Sequence, residues 1–486
     1  MKQKAPIARK LTFGFFYLLS SSIATVGLNV VLIGFTARAL GVEKFGLYSA
    51  ILSFVGLFQF LSDFGLNKTL LKFGSISRAN AQVSFGNALL LKGILFIPTF
   101  LLVTLLGYIV GYKGDDILIL ELLALAMVLN SYGMVFSSIR RILGDFKLVS
   151  FFRVLKTLIN LFIVIIALSI NNSVLYLALA TMLLNLITFI ISLINSVLLL
   201  RPKLKLELVK DFFKDSIIFS FSDFFLSIYA KISIVLLSFL SDLHTVGIFS
   251  AAIKFTNVAT LFPNQVRIAL LPTLYRIMES QNIKESGDRK RVFRIVLKYM
   301  VVLAIPFVIS VFLFSAPIMH LIFGEKYNLS IPFVKLFSLF IFFRIIQTPF
   351  SLFYIAMHKH KQMVYFQAVV SSSNLILNLC LIPKYSAYGA TVATVISEGL
   401  LLFGLVFLGK RYLVWDLKDV FLLIYKPILS GCVSFALFYG LLQANMNLFL
   451  QIALLLLSYL LLLFLIKGFN KEDKDLFVKV FLKKNM

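Results

Sequence analysis

Fourteen long apolar segments follow one another along this chain of 486 residues. A helix needs roughly 20 mainly apolar residues to cross a hydrocarbon core of about 30 Å. Sixty per cent of the residues are apolar and 14% are charged, whereas water-soluble domains have about 45–50% and about 25%. The charges are concentrated between the apolar segments. The sequence therefore predicts an all-α polytopic membrane protein with about fourteen transmembrane helices.

The predicted spans cover residues 11–37, 44–67, 84–111, 116–137, 148–169, 173–200, 214–240, 245–270, 293–316, 331–357, 363–382, 387–409, 419–442 and 446–467. The first span follows four basic residues and resembles a signal peptide. Its apolar run is longer than the 7–15 residues typical of a signal peptide, so we expect it to be retained.

The distribution of basic residues predicts the orientation. With the N-terminus inside, 33 of the 47 Lys and Arg residues fall in cytoplasmic segments, and five fall in external loops. This bias is the positive-inside pattern, and it predicts that both termini are cytoplasmic. The formal net charge of +26 is then explained by orientation and by attraction to membrane lipids, without a nucleic-acid partner.

An internal repeat predicts the domain organisation. The segment Gly46–Ala50 is echoed by Gly247–Ala251 at an offset of 201 residues, which corresponds to six spans. An even number of spans gives both copies the same orientation, as in transporters built from parallel repeats. We predict a six-helix lobe over residues 1–200, a second over 201–412, two further helices over 413–468 and a cytoplasmic tail over 469–486.

Polar residues recur on one face of spans 1, 2, 7 and 8. The predicted cavity-lining set is Ser22, Thr25, Asn29, Ser53, Ser227, Asn257 and Asn264. Small polar residues can instead serve close helix packing. The charged residues Asp223, Lys231 and Lys254 on the same faces favour a wet cavity, because an ionised group facing lipid is costly.

Three motifs resemble the opening of polysaccharide repeat-unit flippases. They are Arg38-Ala39-Leu40-Gly41, Phe45-Gly46-Leu47-Tyr48-Ser49 and Ser62-Asp63-Phe64-Gly65-Leu66. These flippases serve O-antigen or capsule synthesis and belong to the multidrug/oligosaccharidyl-lipid/polysaccharide exporter superfamily. The resemblance implies two bundles in a V around a central cavity that opens alternately to each side. It also implies a bacterial inner-membrane protein, an undecaprenyl-pyrophosphate-linked oligosaccharide as cargo, and polymerase or ligase machinery as partners.

A pyrophosphate headgroup would need cationic side chains in the cavity, and Lys231, Lys254 and Arg344 are the candidates for this role. The alternative is that they form internal ion pairs, such as Lys231 with Asp223 or Arg344 with Glu398.

The remaining membrane-embedded charges have smaller predicted roles. Asp63 lies close to Lys68 in the sequence, and we expect it to form a structural or gating ion pair. Lys92 is expected to extend toward the membrane interface. Asp223 and Glu398 are candidates to bind a coupling proton or sodium ion, and no other cofactor is expected.

Other functions stay open at this point. A multidrug or cation exporter of the same superfamily is one, and a flippase for a peptidoglycan or teichoic-acid precursor is another. A membrane enzyme is disfavoured because the chain has no nucleotide-phosphate loop, HExxH pair or Gly-x-Ser-x-Gly elbow. No catalytic residue and no metal site are therefore expected, and a purely structural scaffold would not need embedded charges on repeat-related faces.

Overall fold

The computed structural model describes residues 4–259, 286–357, 359–413, 417–441, 447–466 and 468, with residues 263 and 274. Within these residues all regular secondary structure is helical. The helices are α1 (Lys4–Leu57), α2 (Gln59–Asp63), α3 (Leu66–Gly74), α4 (Arg78–Val110), α5 (Asp115–Ile142), α6 (Phe146–Ile170), α7 (Val174–Leu199), α8 (Val209–Leu240), α9 (Leu243–Ala259), α10 (Ser286–Leu313), α11 (Ser315–Phe323), α12 (Ile331–Ala356), α13 (His360–Leu413), α14 (Leu417–Leu441) and α15 (Leu448–Leu465), with 3-10 turns at Leu206–Leu208 and Glu325–Ser330.

The described helices account for the fourteen predicted spans. Ten segments within the described residues are long and apolar enough to cross a membrane. Two of them, Ser20–Leu57 and Gln362–Phe407, each contain two predicted spans. Each is broken by a residue with positive φ, Gly41 at 74° and Ser386 at 49°. Helix α9 and the shorter apolar part of α14 supply the remaining two spans. The prediction of an all-helical membrane protein with about fourteen transmembrane helices is confirmed.

The outward faces of the helices carry the apolar residues expected of a lipid-facing surface. In α4, Ile94, Ile97, Leu101, Leu105 and Ile109 recur every three or four residues, and each is 57–70% exposed. This spacing places them along one face of the helix. In water such a stripe would be an aggregation or docking surface. In a bilayer it is the face that meets the lipid chains.

The chain folds into two compact units. The first contains Met1–Val258, Ile322–Ser330 and Val364–Ser397, and the second contains Ala259–Leu321, Ile331–Met363 and Glu398–Met486. The predicted lobes, 1–200 and 201–412, were defined by the sequence repeat and not by packing, so they stay a prediction.

Each unit has its own apolar core. One core of the first unit is formed by residues of α3, α4, α5 and α8 that include Leu70, Phe85 and Phe136. A core of the second unit is formed around Phe314 and Leu455.

Candidate substrate-binding site

The ammonium group of Lys254 lies between α9 and the second half of α1. It donates a hydrogen bond to the Ser49 hydroxyl at 2.9 Å. The same nitrogen is 4.2 Å from the centre of the Phe45 ring and 5.5 Å from the centre of the Tyr48 ring. Aromatic rings attract a cation through their negative faces. Lys254 is thus held by neutral groups, and no carboxylate in the described part of the chain forms an ion pair with it.

Helix α9 approaches α1 closely because both helices have glycine at the contact. A Cβ atom on Gly247 would overlap the carbonyl oxygen of Val42 and lie 2.9 Å from the Val42 carbonyl carbon. A Cβ atom on Gly46 would overlap the carbonyl oxygen of Leu243. Ordinary contacts between carbon atoms are about 3.5–4.0 Å. The two glycines that revealed the sequence repeat therefore pack against each other's helix, and Lys254 follows Gly247 by about two helical turns.

Lys231 is a second cation near Lys254. Its Cε atom lies against Gly56 in α1, 3.2 Å from the position that a Cβ atom would take there. Lys231 and Lys254 contact α1 at Gly56 and Ser49, which are about two helical turns apart on one side of that helix, so the two like charges repel each other. Within the described residues Lys231 forms no ion pair, and the predicted alternative partner Asp223 binds elsewhere. The structure thus brings two of the three predicted substrate cations together.

A small cavity lies beside Lys254. Apart from the lysine, its lining is apolar: Val30, Ile33, Phe255, Val258, Ile322 and Phe323. Charge interactions are stronger in a low-dielectric environment than in water. An anionic group that reached this cavity would therefore interact strongly with Lys254.

Asp63 forms an ion pair, as predicted, but its partner is Lys92 instead of Lys68. The Lys92 ammonium lies 2.7 Å from the Asp63 carboxylate and 2.9 Å from the Ser131 carbonyl oxygen, and its side chain is 0% exposed. Asn67 donates a further hydrogen bond to Asp63. The expectation that Lys92 extends to the membrane interface is wrong, because the lysine turns inward to a carboxylate that α2 places beside α4.

Asp223 is bound by Lys68 and not by Lys231. The two charged groups are 2.5 Å apart and link α8 to α3. Lys68 can reach α8 because α3 packs against it, with the hydroxyl of Ser216 donating a hydrogen bond to Thr69 at 3.0 Å. Lys231 is left without this carboxylate.

The second unit contains the third predicted cation, Arg344. Its guanidinium donates to the Glu398 carboxylate at 2.8 Å, and Gln347 donates to the same carboxylate oxygen. Glu398 is 0% exposed and Arg344 is 32% exposed. The structure thus contains the internal ion pair that the sequence left as the alternative for Arg344. A role of either residue in binding substrate or a coupling ion stays a prediction.

Comparison with known proteins identifies the family. A family profile described as polysaccharide biosynthesis protein matches residues 11–278, which is more than half of the chain. The chain belongs to this polysaccharide biosynthesis family. The resemblance seen in the first motifs is therefore confirmed. No curated protein shows significant sequence similarity to the chain.

Solved structures show which fold this family member has. A lipid II flippase, MurJ, in an inward closed conformation is 17% identical, with a TM-score of 0.75 over 94% of this chain and 99% of that one. An inward-facing multidrug resistance MATE family transporter of the MOP superfamily is 15% identical, with a TM-score of 0.64 over 82% and 98%. A MOP superfamily transporter from Pyrococcus furiosus is 15% identical, with a TM-score of 0.59 over 82% and 95%. The chain has the fold of the MOP-superfamily flippases and transporters.

One of the motifs that resembles the family forms a tight turn. Span 2 is not one continuous helix, because α1 ends at Leu57 and the chain turns at Phe64 and Gly65. Gly65 has φ 73°, which favours glycine, and a Cβ atom there would overlap the Ser216 carbonyl oxygen. The turn holds Asp63 beside Lys92 and starts α3 next to α8. In this polysaccharide biosynthesis protein the motif therefore has a structural role.

The predicted cavity-lining residues lie in different environments. Ser22 and Thr25 each donate to a carbonyl oxygen one turn earlier, both at 2.7 Å. Ser53 is buried, Asn29 and Ser227 are half-buried, and Asn257 is exposed. Asn264 lies outside the described residues. Backbone bonding by Ser22 and Thr25 agrees with a packing role, and their contact with substrate stays a prediction.

Three further cations were not among the predicted site residues. Arg141 lies in the last turn of α5, and Arg153 and Lys156 lie about two and three turns into α6. In the sequence they look like ordinary loop-flanking charges. The signal that could have distinguished them is the absence of nearby carboxylates other than Asp145. In the described residues no group of three or more His, Cys, Asp or Glu side chains could hold a metal ion.

Proposed function

We propose that this protein is a flippase for an undecaprenyl-pyrophosphate-linked oligosaccharide repeat unit. It moves the unit by alternating access from the cytoplasmic to the outer leaflet of a bacterial inner membrane, for polysaccharide biosynthesis. The observation that carries the proposal is the pair Lys231 and Lys254, two neighbouring cations without a carboxylate partner in the described structure. The family supports a role in polysaccharide synthesis, and the similarity to a lipid II flippase supports a lipid-linked cargo.

The electrostatics of the lysine pair favour an anionic cargo. Two like charges in a membrane-embedded site repel each other and lose hydration. A pyrophosphate would relieve both costs, because its oxygens accept charge-assisted hydrogen bonds from ammonium groups. The lipid tail would stay in the bilayer while the head passes Lys231 and Lys254. The Ser49 hydroxyl, which now occupies one N–H of Lys254, would be exchanged for a phosphate oxygen.

The membrane potential supplies the direction in this proposal. Moving one elementary charge across the membrane is worth about 2.3 kcal/mol per 100 mV, and an anion leaves a negative-inside cell downhill. The predicted topology places both termini in the cytoplasm. Asp63, Asp223 and Glu398 each accept from a cation, which supports structural ion pairs for them, and binding of a coupling proton or sodium ion by Asp223 or Glu398 stays a prediction. The flipped unit would then be available to polymerase or ligase machinery.

A multidrug exporter is the rival within the same fold. Cationic substrates would meet Lys231 and Lys254, and like charges placed together cost several kcal/mol in a binding site. We therefore propose a lipid-linked anion over a cationic drug. A peptidoglycan or teichoic-acid precursor has the same anionic chemistry, and the transport assay distinguishes between these lipids.

The test is translocation of a fluorescent lipid-pyrophosphate oligosaccharide in proteoliposomes. We expect the Lys231→Gln/Lys254→Gln variant to transport at least about tenfold more slowly, because a hydrogen bond to a charged group contributes about 1.5–3 kcal/mol. The matched control is Lys335→Gln, which removes an exposed lysine of α12 that lies over the Phe312 ring at 5.7 Å. This control should transport at the rate of the intact protein.

Two results would refute the proposal. One is equal transport by the intact protein and the double variant, when both are folded as judged by thermal unfolding. The other is efflux of a small cationic drug by an intact protein that transports none of the lipid-pyrophosphate substrates.

A further inference from the structure

Arg141, Arg153 and Lys156 are three cations of α5 and α6 that form no ion pair within the described residues, here called the cation trio. Arg153 and Lys156 are three residues apart in α6 and therefore lie on one face of the helix. Arg141 is in the last turn of α5, and its charge is close enough to that of Arg153 for mutual repulsion. All three belong to the same compact unit as Lys231 and Lys254.

Two members of the trio, Arg153 and Lys156, donate hydrogen bonds to hydroxyl and amide oxygens. Arg153 donates to the Ser22 hydroxyl at 3.0 Å. Lys156 donates to the side-chain oxygens of Asn130 at 2.9 Å and Asn185 at 3.1 Å. These bonds orient the side chains without neutralising them. Ser22 is one of the residues predicted to line the cavity, so Arg153 points toward the polar face of the first span.

The trio has unused capacity to bind an anion. A guanidinium has five N–H donors and an ammonium has three. Within the described residues the trio donates three side-chain hydrogen bonds in total. The Nε atom of Arg141 is buried and has no hydrogen-bond partner there. A buried donor without a partner is costly, and a bound anion would remove that cost.

The neighbouring Arg140 shows what a structural arginine looks like at the same place. It is paired with Asp145 at 3.2 Å and its guanidinium lies over the Phe152 ring at 5.2 Å. Asp145 also caps α6 by accepting from the Leu148 backbone N–H. The turn between α5 and α6 therefore has a carboxylate for Arg140, while no described carboxylate forms an ion pair with the trio.

We propose that the cation trio is a second anion site, which captures the phosphate-bearing head of the lipid-linked substrate before it reaches Lys231 and Lys254. This inference rests on the proposed function. The positive-inside pattern assigns the α5–α6 turn to the cytoplasm, the side from which the substrate enters. The two guanidinium groups suit the paired oxygens of a pyrophosphate, and Lys156 adds a point charge. The same chemistry would bind the phosphate of an anionic membrane lipid, and the experiment separates the two sources.

The experiment measures binding to the full-length protein in nanodiscs of phosphatidylcholine. The probes are undecaprenyl pyrophosphate and inorganic pyrophosphate, and the background is Lys231→Gln/Lys254→Gln, which removes the first site. We expect Arg141→Gln/Arg153→Gln to weaken binding of both probes by about 10–100-fold, the effect of losing charged hydrogen bonds. Arg140→Gln removes the same charge from the same turn and should change affinity by less than about twofold, because this guanidinium is already paired.

Transport by the intact protein tests whether the trio acts as an entry site. In an otherwise unchanged background, Arg141→Gln/Arg153→Gln should raise the KM for the lipid-pyrophosphate oligosaccharide and leave the maximal rate nearly unchanged. A purely structural role would instead lower thermal stability and the maximal rate together.

The outcomes distinguish this inference from the proposed function. Unchanged pyrophosphate binding in Arg141→Gln/Arg153→Gln would overturn the cation trio and leave the flippase proposal standing. If phosphatidylglycerol in the nanodisc displaces both probes, and Arg141→Gln/Arg153→Gln does not change the KM for transport, the trio binds a membrane lipid and substrate capture is overturned. If Arg141→Gln/Arg153→Gln loses probe binding but the intact protein flips no pyrophosphate lipid, the trio is an anion site and the flippase proposal is refuted.

Discussion

The contact between Gly46 and Gly247 provides the sharpest test of how the candidate site works. We predict that Gly247→Ala weakens the packing of α9 against α1. The added Cβ atom would overlap the Val42 carbonyl oxygen and lie 2.9 Å from both the Val42 carbonyl carbon and its Cγ1 atom. The Val42 carbonyl is part of the helix backbone and cannot rotate away, so the helices must separate.

The size of the effect follows from the geometry. Restoring an ordinary carbon–carbon contact of about 3.5 Å requires a displacement of at least about 0.6 Å at Gly247. Overpacking of this kind typically costs about 1–3 kcal/mol. If the contact exists in one state of the transport cycle and not in the other, the whole cost appears in the equilibrium between the states. An energy of about 1–3 kcal/mol corresponds to a shift of roughly 5–150-fold.

The assay is labelling of a buried cysteine by a membrane-impermeant maleimide. Ser250 is 0% exposed and lies one turn beyond Gly247, so a cysteine at this position reports opening of the contact. The two native cysteines, Cys380 and Cys432, are exposed and must first be replaced. In the predicted topology the loop before span 8 is external, so Gly247 lies near the outer end of the contact. Gly247→Ala should then raise the labelling rate from the outer face by about 5–150-fold.

Gly133→Ala is the matched control. Gly133 is inside α5, and a Cβ atom there would meet nothing within 4 Å. This change should leave labelling unaffected and improve stability by about 0.5–1 kcal/mol, because alanine is the better helix former. Labelling that stays at the intact rate in Gly247→Ala, in a protein that folds normally, would refute the idea that this contact closes the outer end.

Two further predictions concern stability. Glu398→Ala removes the buried carboxylate that accepts from Arg344 and Gln347. Breaking a buried ion pair typically lowers the free energy of unfolding by about 3–5 kcal/mol, and we expect a loss near the lower end because Arg344 is 32% exposed. Denaturant unfolding measures this loss, and a value below about 1 kcal/mol would contradict the prediction. Asp242 caps α9, and hydrogen bonds from the Thr245 backbone N–H and hydroxyl hold the pKa of its carboxyl below the usual value. The ionised cap therefore stabilises the fold above the pKa of the unfolded chain, about 3.9, and this contribution is lost as the pH falls through the pKa of the folded protein. The melting temperature of Asp242→Asn should therefore fall less steeply with decreasing pH than that of the intact protein.

The membrane spans could be predicted because their signal is local. Each span is an uninterrupted apolar run, and a bilayer requires every backbone group within it to be hydrogen-bonded inside the helix. The break in span 2 was missed because its cause is not local. Phe64 and Gly65 adopt positive φ where α8 packs against them, and hydropathy does not register a single glycine of this kind.

The ion pairs show the same limit. Asp63 is five residues from Lys68 in the sequence, yet its partner is Lys92 on a different helix. Lys68 in turn binds Asp223, which is 155 residues away. The sequence shows that embedded charges must find partners, but the choice depends on which helices are neighbours and how each is rotated.

The repeat was the most informative feature of the sequence for the site. Gly46 and Gly247 correspond at an offset of 201 residues, and in the structure each packs against the helix that carries the other. Two copies related by an axis, as the repeat predicts, would meet through corresponding surfaces near that axis. A repeat found by letter matching therefore located a close contact between the two segments that it relates.

The same offset explains why the candidate site is one-sided. It relates Lys254 to Ser53 and Lys231 to Val30, so the second copy of the repeat carries both lysines and the first carries neither. Four uncompensated cations around one axis would repel one another strongly in a medium of low dielectric. With the cations confined to one copy, the first copy contributes neutral partners such as Phe45 and the Ser49 hydroxyl. The divergence of the two copies, more than the repeat itself, is thus what makes this region suited to an anion.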